Sequence, residues 1–146
     1  MMAGIRSSNT KPEILTRREL HKLGYRFRLN SRIKLKSQVK EIKPDVLLRR
    51  HKVAVFTHGC YFHKHLNCKL AYSDRKYSEL WIKKFEKNKE RDKRVTQQLL
   101  GEGWRVAIVW ECGTRNKEEF QKIICQLGHF IKSGKNNYYE SQYRQT

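Results

Sequence analysis

Apolar residues recur along this chain with two different periods, and the switches between them mark seven elements. Over residues 9–24 the spacing is helical. Thr10 stands where an N-cap belongs, Pro12 fits the first turn and Gly24 supplies a stop. Residues 25–30 alternate, which predicts a strand with Tyr25, Phe27 and Leu29 on one face. Residues 31–40 are polar and basic and read as a mobile loop. Two apolar runs follow, 41–48 and 52–59, joined by Arg49, Arg50 and His51. They predict a hairpin of buried strands. Over 78–103 the period is helical again, with Leu80, Trp81, Ile82, Phe85, Val95, Leu99 and Leu100 apolar and Gly101 and Gly103 at the end. Residues 104–111 predict a strand buried on both faces, and 116–134 a last helix with Cys125 among its core residues. From Lys135 the chain turns polar and reads as a flexible tail. The order α-β-β-β-α-β-α predicts an α/β fold: one domain over 1–134, a mixed central sheet flanked by helices, and a tail over 135–146.

Composition narrows the function. The 146 residues suit one core, with 38% hydrophobic and 32% charged residues. Thirty-three Lys and Arg against 14 Asp and Glu give a formal net charge of +19. Such an excess repels itself unless a polyanion balances it, and nucleic acid is the first candidate because lysine–phosphate and arginine–phosphate contacts release counterions. Anionic membrane is the second, but no segment has the ~18 consecutive apolar residues of a span. The first 13 residues lack a secretory apolar core, so the chain reads as cytoplasmic, in a nucleoid-associated setting. In that compartment its four cysteines are thiols or metal ligands rather than disulfides.

The densest chemistry lies in "FTHGCYFHKHLNC", residues 56–68. Cys60, His65, Cys68 and Cys112 have the donor types and spacing of a tetrahedral structural Zn2+ site, which the spacing favours over the alternative that Cys60 and Cys112 are small core residues. Asp45 follows Pro44 at the start of an apolar run, a costly place for a carboxylate unless a cation sits nearby. The hairpin brings Thr57 and His58 close to it, and a carboxylate, a backbone carbonyl and waters suit Mg2+. His63 is either a base for an attacking water or a further zinc ligand, and Asp45 either holds the metal or pairs with Lys43. Tyr61 and Phe62 flank these groups on a polar loop and suit wedging between bases or covering the zinc site. Glu13 fits a capping box with Thr10, and Asp92 fits the solvated ion pairs of a charged helix face. The Lys and Arg at 83, 84, 87, 89, 91, 93 and 94 suit phosphates.

Taken in order, "KPDVLL", "FTHGC", "KNKERD" and "GWRVAIVWEC" make the sequence resemble the very-short-patch-repair (Vsr) DNA mismatch endonucleases, from about Met2 to the last helix. The resemblance implies a PD-(D/E)xK restriction-endonuclease-like core and a nick in one strand of double-stranded DNA, 5′ of the thymine in a T:G mismatch. It implies Mg2+ on Asp45 and the Thr57 carbonyl, His63 as general base, His58 beside the scissile phosphate, and Glu13 and Asp92 as supporting acids. It assigns structural Zn2+ to Cys60, His65, Cys68 and Cys112. It makes Met2, Tyr61 and Phe62 a wedge in the base stack. The chain departs from the family pattern at Phe62, where Trp is usual, at Lys64, where His is usual, and in one extra residue between His65 and Cys68. It also starts almost at Met2, without the basic segment that precedes it in the family, so a weaker grip on DNA is expected. A monomer suits an asymmetric mismatch, with other mismatch-repair proteins as partners. Two alternatives stay open: a nuclease of the same core with restriction-associated or phage-defence targeting, and a non-catalytic zinc module that binds nucleic acid.

Overall fold

Two antiparallel strands, β1 (Val46–Leu48) and β2 (Val53–His58), form the hairpin that positions the site. Their turn closes without Gly or Asn because Lys52 takes a left-handed conformation at φ 56°. The computed structural model describes residues 10–36, 40–71 and 79–144; Met2 lies outside them. Helix α1 (Lys11–Lys22) precedes the hairpin and α2 (Glu79–Gly101) follows it. Strand β3 (Arg105–Trp110), a single turn α3 (Glu111–Thr114), helix α4 (Lys117–Ser133) and strand β4 (Tyr138–Glu140) complete the chain. The sheet order is β1-β2-β3-β4. β1 runs antiparallel to β2, whereas β2, β3 and β4 are mutually parallel neighbours, so the sheet is mixed.

Both faces of the sheet are covered. Val46, Leu48, Val53, Val55, Ala107 and Val109 pack with Leu20 of α1 and the apolar face of α4. Leu47, Ala54, Val106 and Ile108 pack with Leu99 of α2, with Ile33 and Ile42, and with the cysteines. This two-sided burial explains why the strand sequences run apolar without alternating. Each fully buried Val stabilises the fold by roughly 1.5–3 kcal/mol. α4 is capped by Asn116, whose side chain accepts from the Glu119 N–H at 3.0 Å, and stops at Gly134 in the left-handed region. No helix of the described residues is long and apolar enough to cross a membrane.

Four sequence expectations need correction. Residues 25–30 form no strand. Arg26 donates to the His21 and Tyr25 carbonyls and finishes α1, while Tyr25 and Phe27 pack against the first core. Their alternation reflects packing over a helix end, not a ladder. The loop 31–40 carries part of the core instead, since Ile33 pairs with Ile42 and Leu35 is buried. The tail is no loose end either: β4 extends the sheet beside β3, and the Ser141 hydroxyl accepts from the Trp110 N–H at 3.0 Å. Finally, Cys125 is exposed on α4.

Candidate active site and metal centre

The Asp45 N–H donates to the Val55 carbonyl at 3.0 Å, one step beyond the β1–β2 register. This bond carries its carboxylate to the end of β2. Asp45 Oδ2 there accepts from the Thr57 N–H at 2.6 Å and from the Thr57 hydroxyl at 3.0 Å. The pairing with Lys43 that the sequence allowed is not formed among the described residues. Burial is the largest influence on Asp45 and raises its pKa. The Thr57 N–H opposes it, the nearby Glu13 carboxylate adds to it, and the net value is pushed from 3.8 up to about 6. Glu13 serves two ends. Its Oε2 accepts from the Thr10 N–H at 3.2 Å, as a capping box requires, and it is buried in the cleft wall beside Asp45.

His63 faces this carboxylate pair across the cleft. Its Nδ1 lies 2.5 Å from Asp92 Oδ2 on α2. A neutral His63 therefore carries its proton on Nδ1, and Nε2 is left with a lone pair. His58, the last residue of β2, stacks flat on His63 with centroids 4.1 Å apart and planes 5° apart. Burial, then the adjacent His63, lower the His58 pKa from 6.5 to about 3, so this imidazole is neutral at physiological pH. Glu13, Asp45, Thr57, His58, His63 and Asp92 all line one cavity of about 510 Å³. Lys40, Lys43, Arg91 and Arg94 surround them with positive charge. Two close carboxylates form a hard oxygen site for a divalent cation, and an imidazole held by a carboxylate can accept a proton. His58, His63 and Asp92 also lie close enough to hold an ion among themselves, though their two nitrogens suit Mg2+ poorly.

A second cluster lies behind the first. Cys60, His65, Cys68 and Cys112 are buried, and their donor atoms all lie within 4.8 Å of one another. His65 Nδ1 is 3.4 Å from Cys60 Sγ and 3.5 Å from Cys112 Sγ. The N-to-S edge of a zinc tetrahedron, given its bond lengths, is about 3.6 Å. The donor set and its spacing therefore fit a four-coordinate soft metal. Hydrogen bonding from Cys60 lowers the Cys112 thiol to about 4, so the cluster already favours a thiolate. His65 is held by Trp110, stacked at 4.0 Å and 7°, and its buried Nε2 has no hydrogen-bond partner among the described residues. Cys112 is seated by a close helix approach, because a Cβ on the adjacent Gly113 would collide with Ile123.

The sequence matches the family model described as DNA mismatch endonuclease Vsr over residues 1–70. It is 39% identical over 114 residues to the Type II nicking enzyme V.XorIIP of Xanthomonas oryzae pv. oryzae, covering 77% of each chain. The Type II nicking enzyme V.NmeAIP of Neisseria meningitidis serogroup A is 36% identical over 132 residues, 90% of this chain and 89% of that one. The chain belongs to the DNA mismatch endonuclease Vsr family. The DNA mismatch endonuclease Vsr of Escherichia coli K12 is 42% identical over 77 residues, 53% of this chain and 49% of its own. As a Vsr-family member the protein is a DNA endonuclease, a phosphodiester hydrolase with a restriction-endonuclease-like α/β fold, and DNA is its substrate.

Several residues that support this Vsr-family site escaped the sequence reading. Trp110 contacts His58 edge-on at 5.1 Å as well as stacking on His65, and its indole N–H donates to Glu140 Oε2 at 2.8 Å. β4 thus braces the platform between the two clusters. Arg144 donates to the Leu66 carbonyl at 2.9 Å and ties the loop to the end of the described chain. Tyr61 and Phe62 are half-buried rather than bare, with Tyr61 against Phe85 at 5.3 Å. Lys64 sits over the Tyr61 and Phe85 rings and donates to the Ala71 carbonyl at 2.8 Å, so a cation locks the loop. Asn88 holds the Phe62 carbonyl at 3.2 Å. A Trp followed by Glu-Cys at a strand end was a legible signal for Trp110. Glu140 and Arg144 lie in a stretch with no pattern to mark them.

Proposed function

We propose that this protein nicks one strand of duplex DNA on the 5′ side of the thymine in a T:G mismatch, with Mg2+ assisting hydrolysis. The observation that carries the reading is the shared cleft, with Asp45 and Glu13 on one wall and His63 with Asp92 on the other. Asp45 and the Thr57 carbonyl would hold Mg2+, which when bound supplies positive charge to the scissile phosphate and the leaving oxygen. Glu13 adds negative charge to that oxygen-rich wall. His63 takes a proton from the attacking water on Nε2, because Asp92 keeps the other nitrogen protonated and the ring aimed. His58, neutral, offers a hydrogen bond at the phosphate without competing for the proton. Tyr61 and Phe62, stiffened by Lys64 and Asn88, enter the base stack together with Met2. Zn2+ on Cys60, His65, Cys68 and Cys112 fixes their loop against β3 and α3. The mismatch target is supported by the name of the Escherichia coli relative, a DNA mismatch endonuclease. The protein acts as a monomer in the cytosol.

The test is a strand-specific nicking assay on otherwise identical duplexes with T:G or T:A at one position, with Mg2+ or with chelator. The expected result is one nick 5′ of the mismatched thymine, at least about 100-fold faster than on T:A, and none with chelator; 100-fold is about 2.7 kcal/mol of discrimination. Equal cutting of both duplexes would overturn the mismatch reading and leave a nicking enzyme without mismatch selectivity. The dyad has its own test. Asp92→Asn should lower kcat about 10²–10³-fold, in the range of general acid–base catalysis, with little change in DNA affinity. An unchanged rate would remove Asp92 from the mechanism.

A further inference from the structure

At the other end of the hairpin from the cleft, arginines surround a concavity. Arg26, Arg28, Arg49 and Arg50 line a hollow of about 300 Å³ with Ser31 at its edge and Phe27 and Leu47 as apolar wall. Arg26, Arg49 and Arg50, with His51, also border an adjoining hollow of about 240 Å³. No Asp or Glu lines either one. Arg26 and Arg49 are oriented by carbonyls: Arg26 by His21 and Tyr25, and Arg49 by Arg32 at 3.0 Å. None of the four arginines makes a salt bridge among the described residues. Guanidiniums gathered without a counter-charge repel one another, and an anion relieves that repulsion. The planar fork of arginine fits phosphate oxygens in pairs.

We infer that this arginine hollow is a second contact for the phosphodiester backbone of the DNA, on the flank of the duplex. Position favours DNA over a small phosphate. Leu47 packs in the same core as Ile42 and Ile108, which line the catalytic cleft, while Phe27 packs against the other core, so the hollow lies along the β1 edge of the sheet that leads back to Asp45. From Asp45 to Arg49 is four residues of extended chain, roughly 13 Å at strand rise. Phosphates of one strand repeat about every 3.4 Å along the duplex axis, so the hollow meets a phosphate about four nucleotides from the cleaved bond. Lys40 and Lys43 add positive charge at the cleft itself. The inference rests on DNA being the substrate, and holds whichever base pair is the target.

The test is R28Q/R50Q, which removes two exposed charges and no core contact, against the control K117Q/K132Q, which removes the same charge from α4 on the opposite face. Affinity is read on a 30-bp duplex at several salt concentrations. Each phosphate contact contributes about 0.9 to the slope of log K against log salt. Losing two lowers that slope by about 1.8, so between 50 and 200 mM salt the wild-type Kd should rise roughly 12-fold more than that of R28Q/R50Q. The control slope should match wild type, and kcat at saturating DNA should be unchanged in both variants. Slopes that are equal in R28Q/R50Q and wild type, or equally reduced in the control, overturn the inference. So does a variant that loses binding of inorganic phosphate, followed by calorimetry, while its DNA affinity is untouched: the hollow is then a small-anion site.

Discussion

Asp45→Asn is expected to abolish nicking, by at least about 10³-fold, while making the metal-free protein more stable. The two effects share one cause. Asp45 is buried next to Glu13, and Thr57 only partly compensates, so its pKa is raised from 3.8 to about 6. A carboxylate with a raised folded-state pKa favours the protonated protein. Its stabilising contribution is complete below about pH 4 and is lost as pH rises through about 6. Between those values the metal-free wild type should lose up to about 3 kcal/mol, at 1.36 kcal/mol per pKa unit. Asn keeps an oxygen to accept from the Thr57 N–H and carries no charge, so the variant should be flat in that window. A 10³-fold loss of rate is about 4 kcal/mol of transition-state stabilisation, within what a metal-binding carboxylate supplies. Thermal melts from pH 4 to 7 with chelator, beside single-turnover nicking with Mg2+, check both. A variant that still nicks at the wild-type rate would falsify the assignment of Asp45. One that nicks poorly but gains no stability above pH 6 would show that the buried charge is compensated in some other way.

Cys112→Ser should cost the fold rather than the chemistry. Cys112 is the second residue of α3, which follows β3 directly, while the other three donors sit in the loop after β2. A metal there joins the loop after β2 to the start of α3, and structural zinc contributes on the order of 10 kcal/mol in small metal-dependent domains. The total stability of a domain is of that same order. Even a loss of about 5 kcal/mol lowers Tm by about 10–20 °C at this size. Elemental analysis should find one zinc per chain in the wild type and none in Cys112→Ser. A strong chelator should bring the wild-type melt down to that of the variant. Wild-type protein that purifies without metal and melts at the same temperature with chelator would leave the cluster as a core of thiols. Cys125→Ser on the exposed side of α4 should change neither reading.

The local elements were legible because they are written in local rules. Thr10, Pro12 and Glu13 start α1 whatever surrounds it, and Asn116 and Gly134 bound α4 through side-chain capping and a left-handed residue. The apolar runs at 46–48, 53–56 and 106–110 announced buried strands. The tetrad Cys60, His65, Cys68 and Cys112 was legible as ligand chemistry, since few other roles need three thiols and an imidazole. What failed was what depends on partners. The alternation of Tyr25 and Phe27 had no neighbouring strand to pair with, so it became packing over the end of α1. The polar run after Lys135 found an open edge on β3 and became β4, because strand pairing is made by backbone groups that a side-chain pattern does not reveal.

The sequence by itself determined the charge that demands a polyanion, the donor set that fits a soft metal, and the hairpin with a helix before and after it. Only the tertiary structure decided that Asp45 and Glu13, 32 positions apart in number, share one wall of a cleft and that Asp92 turns from a solvated helix face to hold His63. It also decided that Trp110, braced by Glu140, stands between the two clusters. The reason is physical: capping, periodicity and ligand type are properties of neighbours along the chain, whereas a raised carboxylate pKa or an oriented imidazole exists only once distant segments have excluded water from the space between them.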